Sequence, residues 1–166
     1  TWPKADLAWV NSPSNPTGQV QSEEQLLAAI NWARKNKSIL ASDECYLSFT
    51  STGKSILALS GGDNSGLLAV HSLSKRSNLA GYRAAFLIGD SKLIDQIRQI
   101  RKHAGLMVPL PVQQAMIAAL SENNHAQEQA QRYLARGQKL KSALVNAGFT
   151  IEPVSYTHLR AHETEA

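Results

Sequence analysis

The chain of 166 residues contains a single cysteine, Cys45. A lone thiol excludes an internal disulfide framework and fits a reducing compartment, so a cytoplasmic setting is expected. Long apolar runs are missing too, and the first residues lack the charged-then-apolar pattern of a secretory signal. No membrane contact is therefore expected. Aromatic residues make up only 6% of the chain, and none interleave its densest basic patch, Arg98, Arg101, Lys102 and His103. Nucleic-acid sites need aromatic platforms for bases, so the patch reads as a solvated helix face and no nucleic-acid partner is expected. A Gly-x-Gly-x-x-Gly loop is absent, which argues against a dinucleotide-binding domain. What remains is ordinary for one globular domain with a real core: 43% hydrophobic residues, 18% charged and a net charge of +4. That mild positive balance favours anionic partners.

Apolar runs alternate with helical stripes. Leu7–Val10, Ser38–Asp43, Leu67–His71 and 84–88 read as buried strands, the first broken by the turn-rich segment Asn11 to Gly18. Ser22 and Gln25 form a capping box ahead of a helix to about Asn36. A helical turn is expected at 55–59, followed by a glycine turn at 61–64. Further helices are expected over 91–103, from Gln113 to Leu120 after Pro109 and Pro111, and from Asn123 or Asn124 to Ala147, closed by Gly148. This alternation implies an α/β fold with a sheet buried on both faces. Residues 1–148 are expected to form part of a large domain plus a long helix, and 149–153 to begin a second, truncated domain. The tail 154–166 is expected to be non-native, because Val154 to Thr164 matches a one-frame translation of a transposon-type sequencing adaptor. Its His158, His162 and Glu163 are accordingly not read as a metal site, and no metal is expected.

In such sheets ligands sit beyond the carboxyl ends of parallel strands. Three polar clusters fall there: Asn15-Pro16-Thr17-Gly18, Asp43, and Ser72-Leu73-Ser74-Lys75. If the three strands are parallel, the clusters converge. Lys75 is a surface lysine or a nucleophile for an aldehyde. Ser72 and Ser74 are turn hydroxyls or, with Arg83 eight residues beyond Lys75, a phosphate cradle. An aldehyde and a phosphate on one small molecule describe pyridoxal phosphate. Asp43 is a helix cap or the partner of a protonated pyridine nitrogen. Tyr46 fills the core or bonds the cofactor's phenolic oxygen. Asn15 is a turn residue ahead of a proline, where a cis bond is possible, or another such donor. Cys45 reads as a small core residue, and Trp2, Trp9 and Trp32 as packing residues.

The order Asn-Pro-Thr-Gly, Ser-Asp-Glu-Cys-Tyr, then Ser-Leu-Ser-Lys with its arginine resembles the fold-type I, class I/II pyridoxal-phosphate aminotransferases, over about Leu7 to Pro153. The wording of 11–18 and 71–83 is most similar to succinyldiaminopimelate transaminases of bacterial lysine biosynthesis. The resemblance implies a three-layer α-β-α large domain with a mostly parallel sheet. It implies that Lys75 anchors pyridoxal 5'-phosphate as a Schiff base. Asp43 would pair with the ring nitrogen, Tyr46 and Asn15 with the 3'-oxygen, and Ser72, Ser74 and Arg83 with the phosphate. It also implies an amino acid and a 2-oxo acid as substrates, a homodimer in the full-length protein, and a 166-residue piece that is inactive alone. Other readings are a β-lyase on the same scaffold, or a transcription regulator with an aminotransferase-like sensing domain.

Overall fold

In the computed structural model, which describes residues 2–151, four strands form one sheet in the order β1-β2-β3-β4. Of the expected start of a second domain, residues 152 and 153 lie outside the described residues, as does the whole adaptor-like tail. Strands β1 (Leu7–Asn11), β2 (Ile39–Asp43) and β3 (Leu67–Ser72) run parallel, with Asn11 opposite Asp43 and Asp43 opposite Val70. Strand β4 (Ala85–Gly89) pairs antiparallel to β3, with Ala85 opposite Ser72. The connection over 73–84 turns back at the sheet edge instead of crossing a face, and a chain that does so must return antiparallel.

Helix α1 (Glu23–Asn36) starts at the expected capping box: Ser22 Oγ accepts from the Gln25 N–H at 3.3 Å, and Gln25 Oε1 accepts from the Ser22 N–H at 2.9 Å. Its Leu26, Ala29, Ile30 and Ala33 pack on Val10, Leu40 and Leu67, with Ile56 closing the cluster. Leu26 and Ile30 are 1% and 0% exposed, and burial of such side chains stabilises by about 1.5–3 kcal/mol each. This face of the sheet is the core.

The opposite face corrects two expectations. β1 and β4 are not buried strands: Trp9 is 60% and Leu87 36% exposed. Both lie at the margins of the sheet, and α3 (Ser91–His103) and α4 (Leu110–Ser121) stand away from it around a cavity of about 680 Å³. Trp9 lines that cavity instead of packing in the core. Helix α2 is the single turn Leu73–Arg76 between β3 and β4, which sequence pattern did not predict. Helix α4 starts at Leu110 and takes Pro111 into its first turn, where a missing N–H costs nothing, so the prolines begin this helix instead of delaying it. Helix α5 (Asn124–Asn146) is closed by Gly148 at φ 88° as expected. Its start is capped differently: Asn123 makes no side-chain cap, and Glu122 Oε1 accepts from the Asn124 N–H at 2.7 Å.

Candidate active site

Parallel pairing places the carboxyl ends of β1, β2 and β3 on one edge, and the antiparallel β4 begins at that same edge. Asp43 closes β2, Ser72 closes β3, Lys75 follows within α2, and Arg83 lies two residues before β4. Asp43 pairs with Val70, so Ser72 stands two residues further along the neighbouring strand. Strand spacing and rise put their Cα atoms about 8 Å apart. Asn15 sits in the loop after β1, exposed, and its bond to Pro16 is cis, as is Ser12–Pro13.

Local chemistry fixes each position. Ser72 is the N-cap of α2: its Oγ accepts from the Ser74 N–H at 3.1 Å. Leu73, fully buried, pins the turn to the core and accepts the Ser77 and Leu79 N–H groups on its carbonyl. Arg76 donates to Ser77 Oγ at 3.1 Å, to the Ala119 carbonyl at 3.2 Å and to Asn123 Oδ1. His125 Nε2 lies 3.0 Å from Ser77 Oγ. The lysine-bearing turn is thus tied from behind to the junction of α4 and α5. Lys75 itself is half-buried and has no hydrogen-bond or ion-pair partner among the described residues. Arg83 holds a left-handed conformation (φ 51°, ψ 42°) and donates to the Ala80 carbonyl at 3.2 Å, closing the turn Ala80–Tyr82. Asp43 Oδ1 accepts from the Cys45 N–H at 3.1 Å. Burial, and then hydrogen bonding and charge from Asp43, push the Cys45 thiol up to about 12. Cys45 is therefore a protonated thiol at neutral pH, in keeping with its reading as a small packing residue.

Tyr46 is buried, packed with Phe49 and with Ala130 and Tyr133 of α5. The edge is open. Ser72 lines a cavity of about 290 Å³ with His71, Arg76 and Phe86, while Arg83 lines the larger one. Neither cavity includes Lys75, Asp43 or Asn15.

The family model described as aminotransferase class I and II matches residues 3–165. The chain belongs to the class I and II aminotransferases. Among curated relatives of this family, 4-dedimethylamino-4-oxo-anhydrotetracycline transaminase OxyQ of Streptomyces rimosus is 49% identical over 150 residues, 88% of this chain and 42% of the relative. Among solved structures, aminotransferase AspB of Helicobacter pylori superposes with a TM-score of 0.80 at 32% identity, over 91% of this chain and 41% of its own. N-succinyldiaminopimelate aminotransferase of Mycobacterium tuberculosis shares the fold, with a TM-score of 0.82 at 24% identity, over 94% of this chain and 41% of its own. The chain spans about two fifths of the length of these relatives.

Class I and II aminotransferases depend on pyridoxal phosphate, and the donor set at this edge fits that group. A carboxylate suits a protonated ring nitrogen, an unpaired amine suits an aldehyde, and hydroxyls with a guanidinium suit a phosphate. Sequence reasoning passed over Glu44 and His71, which flank this set. Glu44 follows Asp43 and is 2% exposed, and its Oε1 accepts from the Ile56 N–H at 2.9 Å. Its Oε2 makes no well-aligned hydrogen bond but lies 3.3 Å from His71 Nε2. The available signal was a charged residue placed just past a buried strand, where an unpaired carboxylate would be costly.

Proposed function

We propose that this chain is the cofactor-anchoring segment of a pyridoxal-phosphate-dependent aminotransferase, which exchanges an amino group between an amino acid and a 2-oxo acid. The observation that carries the reading is the convergence of Asp43, Ser72 to Lys75 and Arg83 on one sheet edge, brought about by parallel β2 and β3 and the returning β4. Bound there, pyridoxal phosphate supplies a carbonyl that takes up the amino group and a ring that draws electrons from the substrate's Cα. Lys75 Nζ holds the cofactor's C4' between turnovers and moves the proton between Cα and C4' as base and acid. Asp43 keeps the ring nitrogen protonated. Ser72, Ser74 and Arg83 hold the phosphate, and Asn15 and Tyr46 donate to the 3'-oxygen. The substrate pocket and much of the dimer interface lie in the remainder of a longer, cytoplasmic, homodimeric protein, so this segment alone is inactive.

The wording of the motifs supports N-succinyl-LL-diaminopimelate as amino donor and 2-oxoglutarate as acceptor, in lysine biosynthesis. A second reading, a transaminase of different specificity, is favoured by the 49% identity with the S. rimosus transaminase, whose name points to a tetracycline precursor. The full-length protein, assayed with 2-oxoglutarate and N-succinyl-diaminopimelate, glutamate, aspartate or alanine, separates them. The first reading predicts that the succinylated donor is preferred. If ordinary amino acids outcompete it, the lysine-pathway substrate is wrong while the transaminase class stands.

A further inference from the structure

Glu44 carries the molecule's most deeply buried carboxylate among the described residues, one residue past the end of β2. Burying a carboxylate is costly unless it is paired and hydrogen-bonded, so its position calls for a compensating role. One oxygen is satisfied by the Ile56 N–H at 2.9 Å. The other lies 3.3 Å from His71 Nε2, without an aligned hydrogen bond. The imidazole is held in turn by stacking on Phe86 of β4, with ring centroids 5.3 Å apart and planes 20° from parallel. The Glu44 N–H also donates to the Val70 carbonyl at 2.9 Å. The pair therefore crosses from β2 to β3 and is backed by β4.

Its placement in the sequence is what gives it meaning. Glu44 is bonded to Asp43, and His71 is bonded to Ser72. Because side chains alternate across a sheet, the His71 and Ser72 side chains leave β3 in opposite directions, although both residues border the 290 Å³ cavity. We infer that Glu44 and His71 are positioning residues. They brace the ends of β2 and β3 from behind, and so fix the distance between the ring-nitrogen partner Asp43 and the phosphate partner Ser72. This rests on the proposed roles of Asp43 and Ser72.

The test uses the full-length protein and measures pyridoxal phosphate affinity and the melting temperature of the cofactor-free form. The double variant Glu44→Gln/His71→Phe removes the carboxylate and the imidazole while keeping the Ile56 acceptor and a ring for Phe86. Exchanging a buried pair for neutral groups of similar shape is nearly neutral for folding, so the melting temperature should hold. Cofactor affinity should nonetheless fall about tenfold, because contacts set by a supporting shell lose their geometry when the shell is removed. Unchanged affinity in the double variant, or in His71→Phe alone should the double variant not fold, overturns the inference. Asp43→Asn is measured alongside. If it leaves cofactor affinity unaltered, the reading of Asp43 fails, separately from the brace.

Discussion

Arg83 is where stability and cofactor binding should pull in opposite directions. Its φ of 51° lies in the left-handed region, which costs an L-residue with a side chain about 1 kcal/mol or more and glycine almost nothing. Arg83→Gly removes that strain, whereas Arg83→Ala keeps it. Both lose the exposed bond from the guanidinium to the Ala80 carbonyl, so the difference between them isolates the backbone. In urea unfolding of the cofactor-free full-length protein, the glycine variant should be more stable than the alanine variant by about 1 kcal/mol. Toward the cofactor the two should behave alike. Each loses a charged hydrogen bond to phosphate worth about 1.5–3 kcal/mol, which weakens binding roughly 10- to 140-fold. Absorbance titration with pyridoxal phosphate reads this directly. Wild-type affinity in both variants would refute the phosphate role. Equal stability of the two would refute the strain argument.

Asp90 and Cys45 make predictions that depend on pH. Asp90 accepts from the Gly66 N–H at 2.8 Å and caps α3 through the Lys92 N–H at 2.8 Å, and these bonds, the Gly66 one foremost, hold its carboxyl below the usual range. Its stabilisation is present above the ordinary carboxylate value and lost as pH falls through the lowered one. Asp90→Ala should therefore cost about 1 kcal/mol in urea unfolding at neutral pH and almost nothing in strong acid. For Cys45 the sign reverses: the folded thiol is raised from 9.0 to about 12, so stability is intact below 9.0 and declines as pH climbs through that interval. Cys45→Ala should flatten this alkaline decline. Iodoacetamide should label the folded protein's Cys45 far more slowly than the unfolded chain's, measured by mass.

Much of this was legible in the sequence where the determinant is local. The Ser22–Gln25 capping box, the Gly148 helix stop and the polar ends of β2 and β3 are each set by a few neighbouring residues. The convergence of the site was legible conditionally, because parallel pairing was assumed and then found. The exposure of Trp9 was not legible, since an apolar strand reads the same at a sheet margin as at its centre. Nor was the turn Leu73–Arg76, which is too short to show a period and is set by the Ser72 cap and by Leu73 in the core. The Glu44–His71 pair was hidden for a third reason: it joins residues 27 apart in sequence through a cross-strand register that no local pattern encodes.

The central claim is that Lys75 is the attachment point for the cofactor. The decisive measurement is borohydride reduction of the full-length protein loaded with pyridoxal phosphate, followed by proteolysis and mass mapping. The account predicts one stable pyridoxyl addition, on the peptide containing Lys75, and none in Lys75→Ala. A stable addition to the Lys75→Ala protein at equal yield, or labelling of a different lysine in the native protein, would contradict it.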